Sequence, residues 1–260
     1  MKIQAVPALI AVLTLSLSCQ TLFPATPPPR DGVVVTTCPD LVKAVRGIQP
    51  VDFPEELTDT GVKQGGEFDA NEYFTVLTNL SMREGYILDY IYPVDFLGSF
   101  PILAARPVDL PPYVSPEDLP SDSGLTEYLD YVEIEDNEQG YFEFISLYIM
   151  ANQFYLVWHA NYNDTEIVCN RDDADEISEQ INSGGFGLEF DTEQKAKIRA
   201  MTNIEPLVKL TDTTAIVEIV TFTKWGGFYR MTYTIDRSFP HEIIDSPGEN
   251  LVPYDCGIMF

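Results

Sequence analysis

Residues 125–169 constrain the fold more than any other stretch of this chain. Tyr128–Glu135 alternates apolar and polar side chains, Asp136-Asn137-Glu138-Gln139-Gly140 is rich in turn formers, and Tyr141–Met150 alternates again. Ala151-Asn152-Gln153 breaks that run, and Phe154–Asn161 forms a third before Tyr162-Asn163-Asp164. Aromatic and β-branched residues at period two, punctuated by Asn, Asp and Gly, predict an antiparallel β-meander. A sheet so rich in Phe, Tyr and Ile must bury one face, so the remainder of the chain is expected to cover it.

Before the meander, Val33-Val34-Val35 reads as a short strand and Pro39–Arg46 as a helix stopped by Gly47. Gln49–Gly66 reads as irregular. Asp69-Ala70-Asn71-Glu72 has the form of a capping box opening a short helix that ends near Leu77. Tyr86–Tyr92 and Phe100–Arg106 are partner strands. Five prolines between Pro107 and Pro120 make that segment an extended connection. After the meander, Asp172–Ile181 reads as a charged helix, and Asp191 caps a second helix running through Ala200. Leu207–Leu210, Ala215–Thr223 and Phe228–Ile235 come next as strands, the last two joined by the turn Lys224-Trp225-Gly226-Gly227, and Pro240 limits the chain beyond them. The expected class is α+β, mostly antiparallel sheet with a few short helices. Residues 32–260 are read as a single domain, with sub-lobes 32–106 and 125–260 an option across the Pro-rich 107–120.

A net charge of −26 repels nucleic acid and anionic headgroups, so neither is an expected partner of the folded part. Cationic solutes and basic protein surfaces are favoured instead. No Lys or Arg occurs between Pro107 and Asn170, whereas thirteen Asp and Glu do. Glu133, Glu135, Asp136 and Glu138 crowd one predicted hairpin, and Asp172, Asp173, Asp175 and Glu176 open the next helix. Neither group has the spacing of an EF-hand, so no metal site and no cofactor is expected. A carboxylate pair could also act as acid and base on a glycoside, with aromatic rings as a sugar platform. No G-x-S-x-G is present. The two histidines, His159 on the third predicted strand and His241 after Pro240, are read as structural residues. Gly185-Phe186-Gly187 follows a helix and lacks the third glycine of a dinucleotide fingerprint.

The first residues are Met1-Lys2, an apolar run from Ile3 to Leu17, then Ser18-Cys19. One basic residue and a run too short to span a bilayer comfortably describe an export signal. Leu15-Ser16-Leu17-Ser18-Cys19 resembles the lipobox of bacterial lipoproteins. The resemblance is confined to this leader. It implies that residues 1–18 are removed as a signal peptide, that Cys19 is diacylated, and that the new amino terminus is acylated. Residues 19–31, with Pro24 and Pro27-Pro28-Pro29, would then form a stiff extended tether of about 3 Å per residue.

Three further cysteines are Cys38, Cys169 and Cys256. In an oxidising compartment two of them are expected to pair. A Cys169–Cys256 bridge would pin the chain end, with Cys38–Cys256 or no bridge as alternatives. Taken together, the expectation is a lipoprotein held to the extracytoplasmic face of a membrane through Cys19. It would act as a non-enzymatic binding or structural module, its acidic surface open to a cationic or protein partner. The alternative is an extracytoplasmic carboxylate-dependent hydrolase acting on glycans.

Overall fold

The ten-residue runs Thr214–Thr223 and Gly227–Asp236 pair antiparallel along their whole length, from Thr214 opposite Asp236 to Thr223 opposite Gly227. Their β-branched and aromatic side chains alternate between two faces, as a pleated ladder requires. Gly227 sits at φ +90°, and a Cβ there would lie 2.0 Å from the Val252 carbonyl oxygen, so only glycine fits the turn. This hairpin is the spine of the fold in a computed structural model, which describes residues 30–95, 98–120, 124–158, 164–184 and 187–257.

In chain order the elements begin with β1 (Val33–Val34), α1 (Cys38–Ile48), α2 (Glu55–Thr60), α3 (Tyr73–Val76) and β2 (Leu80–Met82). Then come β3 (Tyr86–Ile91), β4 (Gly98–Ser99), β5 (Ile102–Pro107), β6 (Val132–Ile134), α4 (Glu138–Met150) and β7 (Val157–Trp158). The remainder is β8 (Glu166–Val168), α5 (Arg171–Asn182), α6 (Thr192–Ala200), β9 (Leu207–Leu210), β10 (Thr214–Thr223), β11 (Gly227–Asp236), β12 (Ile243–Asp245) and β13 (Gly248–Pro253). A seven-stranded sheet runs β1-β9-β10-β11-β12, with β8 also on β10 and β13 also on β11. The class is α+β, mostly antiparallel sheet.

Both faces of this sheet are covered, at different places. Ala215, Val217, Ile219, Tyr233 and Ile235 point into the larger core, where α4 lies against β9 and β10. Val220, Phe222 and Phe228, on the opposite face, join a second core with Ile177 of α5, Ile198 of α6 and Tyr254. Gly32–Phe260 forms one compact unit. No helix among the described residues is long and apolar enough to cross a membrane.

The meander is the main correction. Its first run is a 3-10 turn, Tyr128–Tyr131, followed by only three strand residues in β6, which pairs with β2. Its central run is α4, almost wholly buried. The supposed turn is that helix's start: Asn137 is the N-cap, its Oδ1 accepting the Gly140 N–H at 2.8 Å. Gln139, Glu143 and Ser146 recur at steps of four and three, a helical polar stripe amid continuous apolar sequence. A helix buried on nearly every side has little amphipathic signal, and apolar density imitates a strand. Among the described residues of the third run, Val157–Trp158 alone is strand, paired with β4, and residues 159–161 lie outside the described residues.

Smaller differences have equally local causes. The helix α1 continues past Gly47 to Ile48, and α2 interrupts the stretch read as irregular, closed by Gly61 in the left-handed region. Pro240 does not end the sheet, because β12 and β13 both pair with β11 beyond it.

The Pro-rich segment 107–120 is lashed to its neighbours. The N–H groups of Tyr113 and Lys63 donate to Asp89 Oδ2 (3.0 Å) and the Val114 carbonyl (2.8 Å) respectively. Arg106 Nη1 donates to the Leu110 carbonyl.

The expected Cys169–Cys256 bridge is not formed. Cys38 at the start of α1 is bonded to Cys169 just after β8, and Cys256 is a buried free thiol. Sequence proximity to the chain end suggested Cys256, but Val252 and Tyr254 already pin that end by burial in the second core.

Candidate functional site

The acidic groups singled out from sequence do not converge. Asp136 is neutralised from 101 residues away: Arg237 Nε and Nη2 donate to its two oxygens at 2.9 and 2.5 Å. Tyr141 Oη adds a third bond at 3.0 Å. The Arg237 guanidinium, ahead of other causes, holds the Asp136 carboxyl below the usual carboxylate range. Near the start of α5, Asp173 is engaged by the backbone, accepting the Cys169 N–H at 2.8 Å. Among the described residues no group of three or more His, Cys, Asp or Glu is placed to hold a metal ion. Cys19 and His159 lie outside the described residues.

Glu143 illustrates how this fold treats a buried carboxylate. It sits on α4 at 2 % exposure and accepts from Asn79 N and Nδ2, both at 2.8 Å, and from Gln139 Nε2 at 3.0 Å. Backbone and amide donors, not a cation, satisfy it.

Of the concave regions that carry several polar groups, two contrast in how their charges are used. One, of about 540 Å³, surrounds Lys63, Asp89 and Arg106. Its cations are committed: Lys63 Nζ and Arg106 Nε each lie 2.7 Å from an Asp89 oxygen, and Lys63 also donates to the Tyr90 carbonyl. The geometry there is that of a structural clamp.

The other, of about 480 Å³, is built where α4 ends. Tyr148 is the one exposed side chain between Tyr141 and Met150. Its ring stands edge-on to Tyr233, centroids 5.9 Å apart, which fixes its plane. The 3-10 turn before β6 and the residue that opens it contribute Tyr128, Asp130 and Glu127. The segment entering β12 contributes His241 and Glu242. No lysine or arginine lines this cavity.

His241 is the most constrained group in the wall. It is 7 % exposed, with the rings of Tyr141, Phe144 and Phe239 packed edge-on around it at 5.9–6.5 Å. Its Nδ1 lies 3.1 Å from the Asp236 carbonyl oxygen, a local hydrogen bond of the kind expected for a turn residue. A carbonyl only accepts, so Nδ1 is the donor, and in the neutral ring Nε2 carries the lone pair. Nε2 makes no hydrogen bond to a described residue.

Sequence reasoning missed Tyr148, Tyr128, His241 and Glu242 as a group. Tyr148 was placed on a strand, and His241 is 93 residues from it. The one available signal was the lysine- and arginine-free span from Pro107 to Asn170, which supplies both tyrosines of the wall and two of its three carboxylates. No family model matches this chain, and no curated protein or solved structure matches it either.

Proposed function

We propose that this protein is a membrane-tethered extracytoplasmic binding module, held by lipid on Cys19 and presenting the cavity at the end of α4 to its surroundings. The leader's likeness to a lipobox and the Pro-rich residues 19–31 support the tether. The observation that carries the binding role is the cavity wall: two tyrosine rings, three carboxylates and no lysine or arginine, in a chain of net charge −26. Aromatic faces with a few placed polar groups are the usual make-up of a ligand site. Detergent phase partition tests the tether. The intact protein is expected in the detergent phase and Cys19→Ala in the aqueous phase or with its leader uncleaved. Intact protein in the aqueous phase overturns the anchor.

The same wall favours a second reading, hydrolysis of glycans, because carboxylates beside aromatic rings also suit a sugar. Turnover of chromogenic glycosides, abolished by Glu242→Gln or Asp130→Asn, would establish that reading in place of the first.

A further inference from the structure

We propose that the cavity at the end of α4 binds an organic cation bearing N–H donors, a primary ammonium or a guanidinium. The inference rests on the binding role proposed above and names its ligand class. Glu127, Asp130 and Glu242 offer only acceptors when ionised. His241 adds one more when its ring is neutral: its Nδ1–H is taken up by the Asp236 carbonyl, and no described residue donates to Nε2. Tyr128 and Tyr148 add π faces, which attract cations and not anions. Thr126 and Asn152, also in the wall, can donate or accept and so discriminate nothing. A neutral ligand would leave three carboxylates uncompensated, and an anion would be repelled.

The acceptors distinguish among cations. A quaternary ammonium satisfies the π faces and the charge but cannot donate to His241 Nε2 or to the carboxylates. A primary ammonium or a guanidinium does all three. Such a group reaches the cavity as a free diamine or as a lysine or arginine side chain of another protein, and the chemistry at the wall is shared.

Calorimetric titration of the lipidated protein in detergent tests this with agmatine, the blocked tripeptide Gly-Arg-Gly and tetramethylammonium, against NaCl at equal ionic strength. Agmatine or the peptide is expected to bind at least about tenfold tighter than tetramethylammonium. The tighter of the two identifies a free amine or a protein side chain as the source. Tyr148→Ala, at a half-exposed position, is expected to weaken binding about fivefold, and Tyr148→Phe to retain it. Asp172→Asn with Asp175→Asn, on α5 and outside this cavity, is expected to leave it unchanged. Equal binding of tetramethylammonium, or equal losses from Tyr148→Ala and the α5 pair, would overturn the proposal in favour of a general acidic surface. Binding of a neutral oligosaccharide that Tyr148→Ala abolishes would overturn the cation while leaving the cavity's binding role in place.

Discussion

Arg106 and Asp89 meet across the β3–β5 ladder, Nε to Oδ2 at 2.7 Å, with each side chain about nine-tenths buried. Lys63 takes the other Asp89 oxygen at the same distance, and the N–H groups of Tyr90 and Tyr113 complete the set. One carboxylate therefore compensates two buried cations. Asp89→Ala is expected to cost about 3–5 kcal/mol, because it leaves two largely buried charges without their counter-ion. That corresponds to a fall in Tm of roughly 10 °C for a domain of this size. A near-neutral Asp89→Ala in thermal unfolding would show that water replaces the carboxylate.

The Cys38–Cys169 bridge closes a loop of 131 residues in sequence separation. Its removal by a Cys38→Ala, Cys169→Ala double variant is expected to cost about 3–5 kcal/mol through the entropy of the unfolded chain. Non-reducing peptide mapping should yield one linked peptide pair containing Cys38 and Cys169. Cys256 should stay unreactive to thiol reagents until the protein is denatured, since it is buried at 1 % exposure.

Asp136 predicts an acid dependence. Its carboxyl is held below the usual range, chiefly by Arg237, so the unfolded chain binds the proton more readily than the folded one. The stabilisation is therefore fully present above the ordinary carboxylate pKa of about 3.9 and lost as pH falls through the lower folded value. Asp136→Asn is expected to lower Tm by about 1–3 °C at pH 7, a small effect because the Asp136 side chain is 57 % exposed. The gap between variant and parent should shrink below about pH 4 and in high salt. A gap that widens on acidification would assign the effect to packing.

Gly140 in the first turn of α4 sets two effects against each other. Helix propensity alone favours Gly140→Ala by about 1 kcal/mol. A Cβ there would lie 2.3 Å from the Glu135 carbonyl oxygen and 2.9 Å from Ile134 Cγ2. Backbone cannot yield cheaply, so the substitution is expected to destabilise by about 1–3 kcal/mol. A gain in Tm would show that β6 is free to shift away from the helix.

The elements legible in the sequence are those whose amphipathic period survives. β10 and β11 alternate because each strand presents different surroundings to its two faces, and α5 keeps a polar side behind its N-cap Asn170, whereas α6, polar nearly all round, is marked by its Asp191 cap. α4 lost its period because sheet and flanking segments enclose it, leaving Tyr148 as its one exposed large side chain. Misreading α4 also hid the site, since Tyr148 and His241 come together only when residues 138–150 rise as a helix. The bridge was misassigned for a related reason. The spacing of three cysteines carries no geometry, and it is the packing of α1 near β8 that brings Cys38 to Cys169.

The position of that bridge bears on how the protein would carry load. Cys38 is nineteen residues beyond Cys19, so tension arriving from an anchored amino terminus reaches a covalent crosslink almost as soon as it enters the fold. From there it passes directly to Cys169 beside the central sheet, and residues 39–168 lie off the force path. Those residues contain the Asp89 clamp and α4, with most of the cavity's tyrosines and carboxylates. If the chain is held at Cys19, stretching towards the carboxy terminus would thus load α5, α6 and β9 to β13 while the crosslinked loop stayed slack, and reduction would put the whole chain in series.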